Sequence, residues 1–184
     1  AFNMAVSNFD SYTGSGRNFY LYDDEASGRF SLLPWDPNEA FGAYANNWNV
    51  VTQDVVAIPN LAKRPLARRI FENDSLRHVY LARIRSILSG PASLDSMTAR
   101  TTRLKAFLGA AVQADIHKLY TYQQFLDNIE REVFVGIGIP VPGLLDFARA
   151  RNARVFEQLS VHDNVYENGP FPSQPIPQVW NYPN

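Results

Sequence analysis

The 184-residue chain contains no cysteine, so disulfides and thiolate metal sites are excluded. Its net charge is only −1, which argues against a dedicated nucleic-acid binder, because such proteins normally carry a basic face. No apolar run approaches the roughly 20 residues that a membrane-spanning helix needs. With 46% hydrophobic and 19% charged residues, the chain has the composition of a globular protein. Its length permits one compact domain with a core of its own.

Several catalytic patterns are also missing. No serine lies in a G-x-S-x-G sequence and there is no cysteine, so the chain offers no nucleophile triad. The histidines His78, His117 and His162 are far apart, and no pair has the spacing of H-E-x-x-H. We therefore expect structural roles for them. A G-x-x-x-x-G-K-[ST] phosphate loop is absent as well.

The most informative stretch runs from Asn8 to Gly42. Two aromatic-rich runs, 18–22 and 29–33, are separated by a polar turn that contains a glycine. This pattern predicts a β-hairpin with a longer loop. Asp10 precedes the hairpin, and Asp36 follows its second run directly. An acid placed just after a strand is held by rigid backbone and can point into a cleft.

Three segments of this stretch follow one another in a specific order. They are 8–12 (NFDSY), 17–22 (RNFYLY) and 34–42 (PWDPNEAFG). In order and spacing they resemble the CotH kinase family, the spore-coat-protein-H-like atypical protein kinases. That family's core runs as N-x-D-S/R-Y, then H/R-N-Y/F-Y-L-Y, then P-W-D-x-(D/N)-x-x-F-G. The helical remainder fits the C-terminal part of such a domain more loosely.

The resemblance implies phosphoryl transfer from ATP, with Mg²⁺ or Mn²⁺, to Ser/Thr of a protein, often a secreted or spore-coat partner. It also implies an extracellular or spore- or cell-surface location. Asp10 matches the catalytic aspartate, and Asp36 matches the metal-binding aspartate, the counterpart of the kinase DFG acid. Asn18 would assist cofactor binding. Asn38 replaces an acid often seen there and would be a weaker metal ligand.

Each of these residues also has a simpler interpretation. Asp10 can start an Asx-turn in a glycine-rich loop, Asp36 can cap a turn, and Asn18 can open a strand. The acidic turn 23–25 is expected to be solvated surface rather than a calcium site. The basic run 63–69 is expected to be a solvated helix face, with contact to an acidic substrate or phosphate as the alternative.

The expected fold is α+β. It consists of a short antiparallel hairpin near the N-terminus followed by a mainly helical body, resembling the C-lobe of an atypical protein kinase. Hydrophobic periodicity and caps predict helices over 65–71, 76–88, 94–119, 121–134 and 144–159. In the last of these, Leu145, Ala148 and Val155 would face the core, while Arg149, Arg151 and Arg154 would face solvent. In the helix from 94, Leu104, Phe107, Leu108 and Ile116 are predicted to face inward.

We expect two regions, a kinase-like portion over 1–162 and a Pro-rich extended tail or linker over 163–184. A kinase needs a lobe that holds the nucleotide phosphates, and nothing before Asp10 could supply one. The chain is therefore expected to be the C-terminal part of a kinase-like domain and inactive alone. The alternative is a non-catalytic interaction or scaffold module (a pseudokinase) of a secreted multidomain protein. A carbohydrate-binding variant of that alternative would need aromatics such as Trp35 and Trp48 on one exposed face, whereas we expect both to pack on the core.

Overall fold

A computed structural model describes the backbone of residues 1–45 and 47–166 and the side chains of 1–45 and 47–163. Within these residues the helices are α1 (Phe2–Ala5), α2 (Pro65–Phe71), α3 (Asp74–Ser89), α4 (Leu94–Ala114), α5 (Tyr122–Asp127) and α6 (Leu144–Tyr166). The strands are β1 (Phe19–Asp24), β2 (Arg29–Pro34), β3 (Val133–Val135) and β4 (Ile139–Val141). The predicted α+β class, with an N-terminal hairpin and a mostly helical body, is confirmed. No described helix has the length and apolar character required to cross a bilayer.

The predicted hairpin is formed by β1 and β2. They pair antiparallel, from Phe19 opposite Pro34 to Asp24 opposite Arg29. The turn between them is closed by the Asp24 carboxylate, which accepts a hydrogen bond of 2.6 Å from the Ser27 hydroxyl. At the open end, the backbone N–H of Trp35 donates to the carbonyl oxygen of Asn18 at 3.0 Å, so the two residues that flank the strands remain side by side.

The main core lies where α1, α3 and α6 meet. The helix predicted over 76–88 is present as α3, and its Tyr80, Ile84 and Leu88 are buried there. The helix begins at Asp74, two residues before the predicted start at 76, because the Asn73 side chain caps it by accepting a hydrogen bond from the Leu76 amide. Phe9 is also fully buried, and Trp48 packs edge-on against it with ring centroids 5.2 Å apart. The chain therefore leaves the core directly before Asp10, which gives that aspartate a rigid base.

Arg151 lies opposite to where periodicity placed it. We predicted an exposed side chain, but Arg151 is 0% exposed. Its guanidinium donates to the carbonyl oxygens of Met4 and Ala5, at 2.7 and 3.2 Å. It also donates to those of Val51 and Gln53, at 2.8 and 2.6 Å. Carbonyls at a helix C-terminus lack intrahelical partners, and this cluster of acceptors draws the arginine inward.

Helix α4 is shorter and more exposed than predicted. It ends at Ala114 rather than near residue 119, and its C-cap is Asp115, whose carboxylate accepts from the amide of His117. The residues that we expected to face inward are exposed instead, with Phe107 80% and Ile116 87% accessible. The first part of α4, around Met97, packs on α6. Amphipathic spacing indicates an apolar face, but it does not say whether another element covers that face.

The helix predicted over 121–134 is wrong beyond Asp127. The Thr121 side chain forms a capping box with Gln124, so α5 begins as predicted. After α5, the Asn128 side chain donates to the carbonyls of Val141 and Pro142, both at 3.0 Å, and so turns the chain. Residues 133–135 and 139–141 then pair as a second hairpin, with glycines at 136 and 138 in positive φ. The β-branched valines and the two glycines were the local signal for it.

Helix α6 extends beyond its predicted end at 159 and reaches Tyr166. Residues 167–184, most of the predicted tail, lie outside the described part of the chain. The Trp48 prediction is confirmed by its contact with the core, whereas the same prediction for Trp35 is wrong, since Trp35 is 59% exposed and packs edge-on against Tyr20.

Candidate active site

The loop between α1 and β1 folds back on itself. The amide of Ser15 donates to the carbonyl of Phe9 at 2.7 Å, and the amides of Gly14 and Gly16 donate to the carbonyl of Ser11 at 3.1 and 2.9 Å. A Cβ on Gly14 would lie 1.9 Å from the Phe9 carbonyl oxygen, so only glycine fits there. The loop is therefore compact and has a defined shape around Asp10.

The Asp10 carboxylate is held at both of its oxygens. Oδ1 accepts from the Ser15 hydroxyl at 2.8 Å, and Oδ2 accepts from the Asn18 amide at 2.7 Å. The Arg17 guanidinium lies 3.5 Å from Oδ1. All three partners lie five to eight residues after Asp10 in the sequence. In an Asx-turn the aspartate would instead accept from a backbone amide two residues on. With 19% of its side chain exposed, Asp10 is oriented and still reachable from solvent.

Asn18 and Asp36 lie at the open end of the hairpin, and both have an unusual backbone conformation. Both have positive φ, at +55° and +47°. Non-glycine residues in this region cost of order 1–3 kcal/mol, and Asn and Asp tolerate it best. Such strain clusters at functional sites, so these outliers support a hypothesis of function. The Asn18 amide nitrogen is used twice on Asp10, while its amide oxygen has no donor among the described residues.

Asp36 and Asn38 lie on the solvent side of this site. Both side chains are exposed, and Asn38 sits in a short 3-10 turn, Pro37–Glu39. No hydrogen bond or ion pair joins either residue to Asp10 in the described part of the chain. The structure thus brings Asp10 and Asn18 into contact and places Asp36 and Asn38 at the same end of the hairpin without contact.

The oxygen atoms of Asn18, Asp36 and Asn38 are of the donor type that Mg²⁺ prefers. Among residues 1–45 and 47–163, no three Asp, Glu, His or Cys side chains are grouped so that they could hold a metal. Mg²⁺ commonly binds through one or two carboxylates plus substrate phosphates and water. The free Asp36 carboxylate and the amide oxygens of Asn18 and Asn38 are hard oxygen donors of that kind.

The family model described as CotH kinase protein matches residues 1–153 of this chain. The chain belongs to the CotH kinase family. Among curated proteins and among solved structures, no significant match was found. The CotH match reaches from α1 into α6 and so includes the helical body as well as the aspartates.

In this CotH kinase chain, sequence reasoning missed two groups at the candidate site. The sequence predicts only a loop at Ser15 and a solvated basic face at Arg64. Ser15 holds Asp10, and the Arg64 guanidinium donates to the carbonyl of Gly14 at 2.7 Å. The glycines at 14 and 16 were the available signal, because glycine allows another group to approach the backbone closely. Nothing in the spacing identified Arg64 as that group.

Proposed function

We propose that this chain carries the catalytic and metal-binding aspartates of an ATP- and Mg²⁺-dependent kinase that phosphorylates Ser/Thr of a protein. CotH kinase family membership supports kinase function at the level of the family. The observation that carries the proposal is the fixed Asp10 carboxylate, whose two oxygens accept hydrogen bonds of 2.8 and 2.7 Å while the side chain stays accessible.

In this proposal Asp10 acts on the acceptor hydroxyl. Phosphoryl transfer demands little covalent chemistry of the protein, and its catalysis is mainly positioning and electrostatics. A carboxylate that accepts the hydroxyl proton must lie within hydrogen-bond reach and point in a set direction. Ser15 and Asn18 fix that direction for Asp10.

Asp36 would hold the metal, with Asn18 and Asn38 as weaker oxygen ligands. Mg²⁺, when bound, would neutralise charge on the transferring phosphoryl group. The support is that the Asp36 carboxylate and the Asn18 amide oxygen are unengaged in the described chain and flank the same hairpin end. The lobe that grips the nucleotide, the protein substrate and the extracellular or surface location remain predictions.

The test uses the full-length protein that contains this chain, with radiolabelled ATP and a Ser/Thr-rich acceptor protein. Asp10→Asn is expected to lower kcat by about 10²–10⁴-fold, the usual contribution of a general base. Asp36→Ala is expected to abolish transfer and Mg²⁺-dependent ATP binding measured by calorimetry. Asp23→Asn, an exposed acid on β1, is the matched control and should leave both unchanged.

Two results would contradict the proposal. Full turnover by Asp36→Ala would remove Asp36 from the metal site. Failure of the wild-type protein to bind ATP or transfer phosphate would favour the non-catalytic scaffold alternative, with Asp10 and Asp36 serving as loop formers.

A further inference from the structure

Arg64 contacts the loop that carries Asp10. It belongs to the basic run 63–69, but its side chain is partly buried. One terminal nitrogen donates to the carbonyl of Gly14 at 2.7 Å, and the other donates to the carbonyl of Lys63 at 3.2 Å. Its Nε is fully buried and has no hydrogen-bond partner in the described chain. This is a packed contact rather than the solvated face expected for the run.

The guanidinium fits only because residue 16 is a glycine. A Cβ on Gly16 would lie 2.6 Å from one terminal nitrogen of Arg64 and 2.7 Å from its Cζ. Gly16 also has φ +82°, a conformation that favours glycine. Arg64 therefore packs against Gly14 and Gly16, the two neighbours of Ser15.

A second contact joins the same elements. The Tyr12 hydroxyl accepts a hydrogen bond of 2.9 Å from the amide of Leu66, in the first turn of α2. Amides of a first helical turn have no intrahelical acceptor, so Tyr12 supplies one. The Tyr12 ring packs edge-on against Phe19 at 5.0 Å, which connects this contact to β1. The start of α2 thus holds the loop at Tyr12 and at Gly14.

We propose that Arg64 is a positioning residue for the reaction at Asp10. By holding Gly14 and Gly16, it fixes Ser15, whose hydroxyl lies 2.8 Å from the Asp10 carboxylate. The direction of the carboxylate is thereby set from the α2 side of the loop. A displacement of about 1 Å in a reacting group can cost roughly 10²-fold in rate. The catalytic part of this inference rests on the proposed kinase function, whereas the hold on the loop does not.

The kinetic test compares Arg64→Ala and Arg64→Lys with Arg68→Ala in the full-length protein. Arg68 belongs to the same basic run and pairs with Glu72 at 3.5 Å. The Arg68→Ala variant therefore removes one positive charge from the run without changing a contact to the loop. Arg64→Ala should lower kcat by about 10- to 100-fold with little change in KM for ATP. Arg64→Lys should recover little, because an ammonium lacks the planar fork that spans this contact. Arg68→Ala should match the wild type.

A second measurement does not depend on activity. Amide hydrogen exchange over residues 11–18 should become faster in Arg64→Ala and stay unchanged in Arg68→Ala, while α3 and α6 remain protected. If the wild-type protein transfers no phosphate, the proposed function fails and this measurement still decides whether Arg64 holds the loop. Wild-type kcat in Arg64→Ala, or unchanged exchange over 11–18, would overturn the proposal.

Gly16→Ala gives an independent variant should Arg64→Ala fail to fold. Its added methyl group would displace the guanidinium, and alanine is strained at φ +82°, so Gly16→Ala should lower kcat at least as much as Arg64→Ala does. The double variant should lose no more than the stronger single variant, because both changes break one contact. Losses that multiply would show that the two residues act separately and would contradict the inference.

Discussion

Replacing Arg151 with methionine should destabilise the fold far more than the same replacement at Arg149. Methionine keeps much of the length and the apolar stem but removes every donor. The carbonyls of Met4, Ala5, Val51 and Gln53 would each lose a hydrogen bond. The first two end α1, just before the loop of Asp10, and the other two belong to the segment after Trp48.

The size of the effect follows from two opposing contributions. Hydrogen bonds to a charged donor contribute about 1.5 kcal/mol or more each, so losing four removes roughly 6 kcal/mol. Burial lowers the pKa of Arg151 to about 10, and the desolvation behind that shift costs about 3 kcal/mol that methionine avoids. The net loss is therefore about 3 kcal/mol, close to the cost of leaving buried polar groups without partners.

Urea unfolding followed by circular dichroism measures this loss. Arg149→Met is the control on the same helix, because Arg149 is 57% exposed and pairs with the exposed Asp146. It should change the free energy of unfolding by less than about 0.5 kcal/mol. If Arg151→Met also stays within about 0.5 kcal/mol of the wild type, the four carbonyls do not depend on Arg151 and the reasoning is refuted.

Two further predictions concern the hairpin turn and α4. The Ser27 hydrogen bond is the largest cause that lowers the pKa of Asp24, so Ser27→Ala should raise that pKa toward 3.8 in an NMR titration, and an unchanged value would contradict this cause. Because folding lowers this carboxyl pKa, its stabilising effect is present above pH 3.8 and is lost as the pH falls through the lowered value. Phe107→Glu should change the free energy of unfolding by less than about 0.5 kcal/mol, because Phe107 is 80% exposed. A loss of several kcal/mol in urea unfolding would instead place it in a core.

Local features were correctly predicted from the residues. The hairpin, the existence of α3, α2 and the start of α5 all rest on interactions between residues a few positions apart. Caps, turns and strand alternation act through such short-range hydrogen bonds and backbone preferences. The order of motifs around Asp10 and Asp36 also indicates the CotH kinase family, and the family match over residues 1–153 confirms it.

Other features depended on which segments meet. Periodicity predicts that Arg151 is exposed, but carbonyls at the end of α1 and in the segment after Trp48 bind its guanidinium in the core. The apolar face of α4 looked like core, but no described element covers Phe107.

At the candidate site, too, some features could be predicted from the sequence and others depend on the fold. Its aspartates could be named from their motifs, whereas the Ser15 and Asn18 contacts that orient Asp10, and Arg64 behind them, appear only once the loop is closed. Periodicity indicates only the average tendency of a residue type to be buried. It does not give the actual burial of a particular side chain or its hydrogen-bond partners. A buried charge or a held carboxylate is decided by acceptors and donors from distant parts of the chain, which only the folded arrangement brings within hydrogen-bond distance.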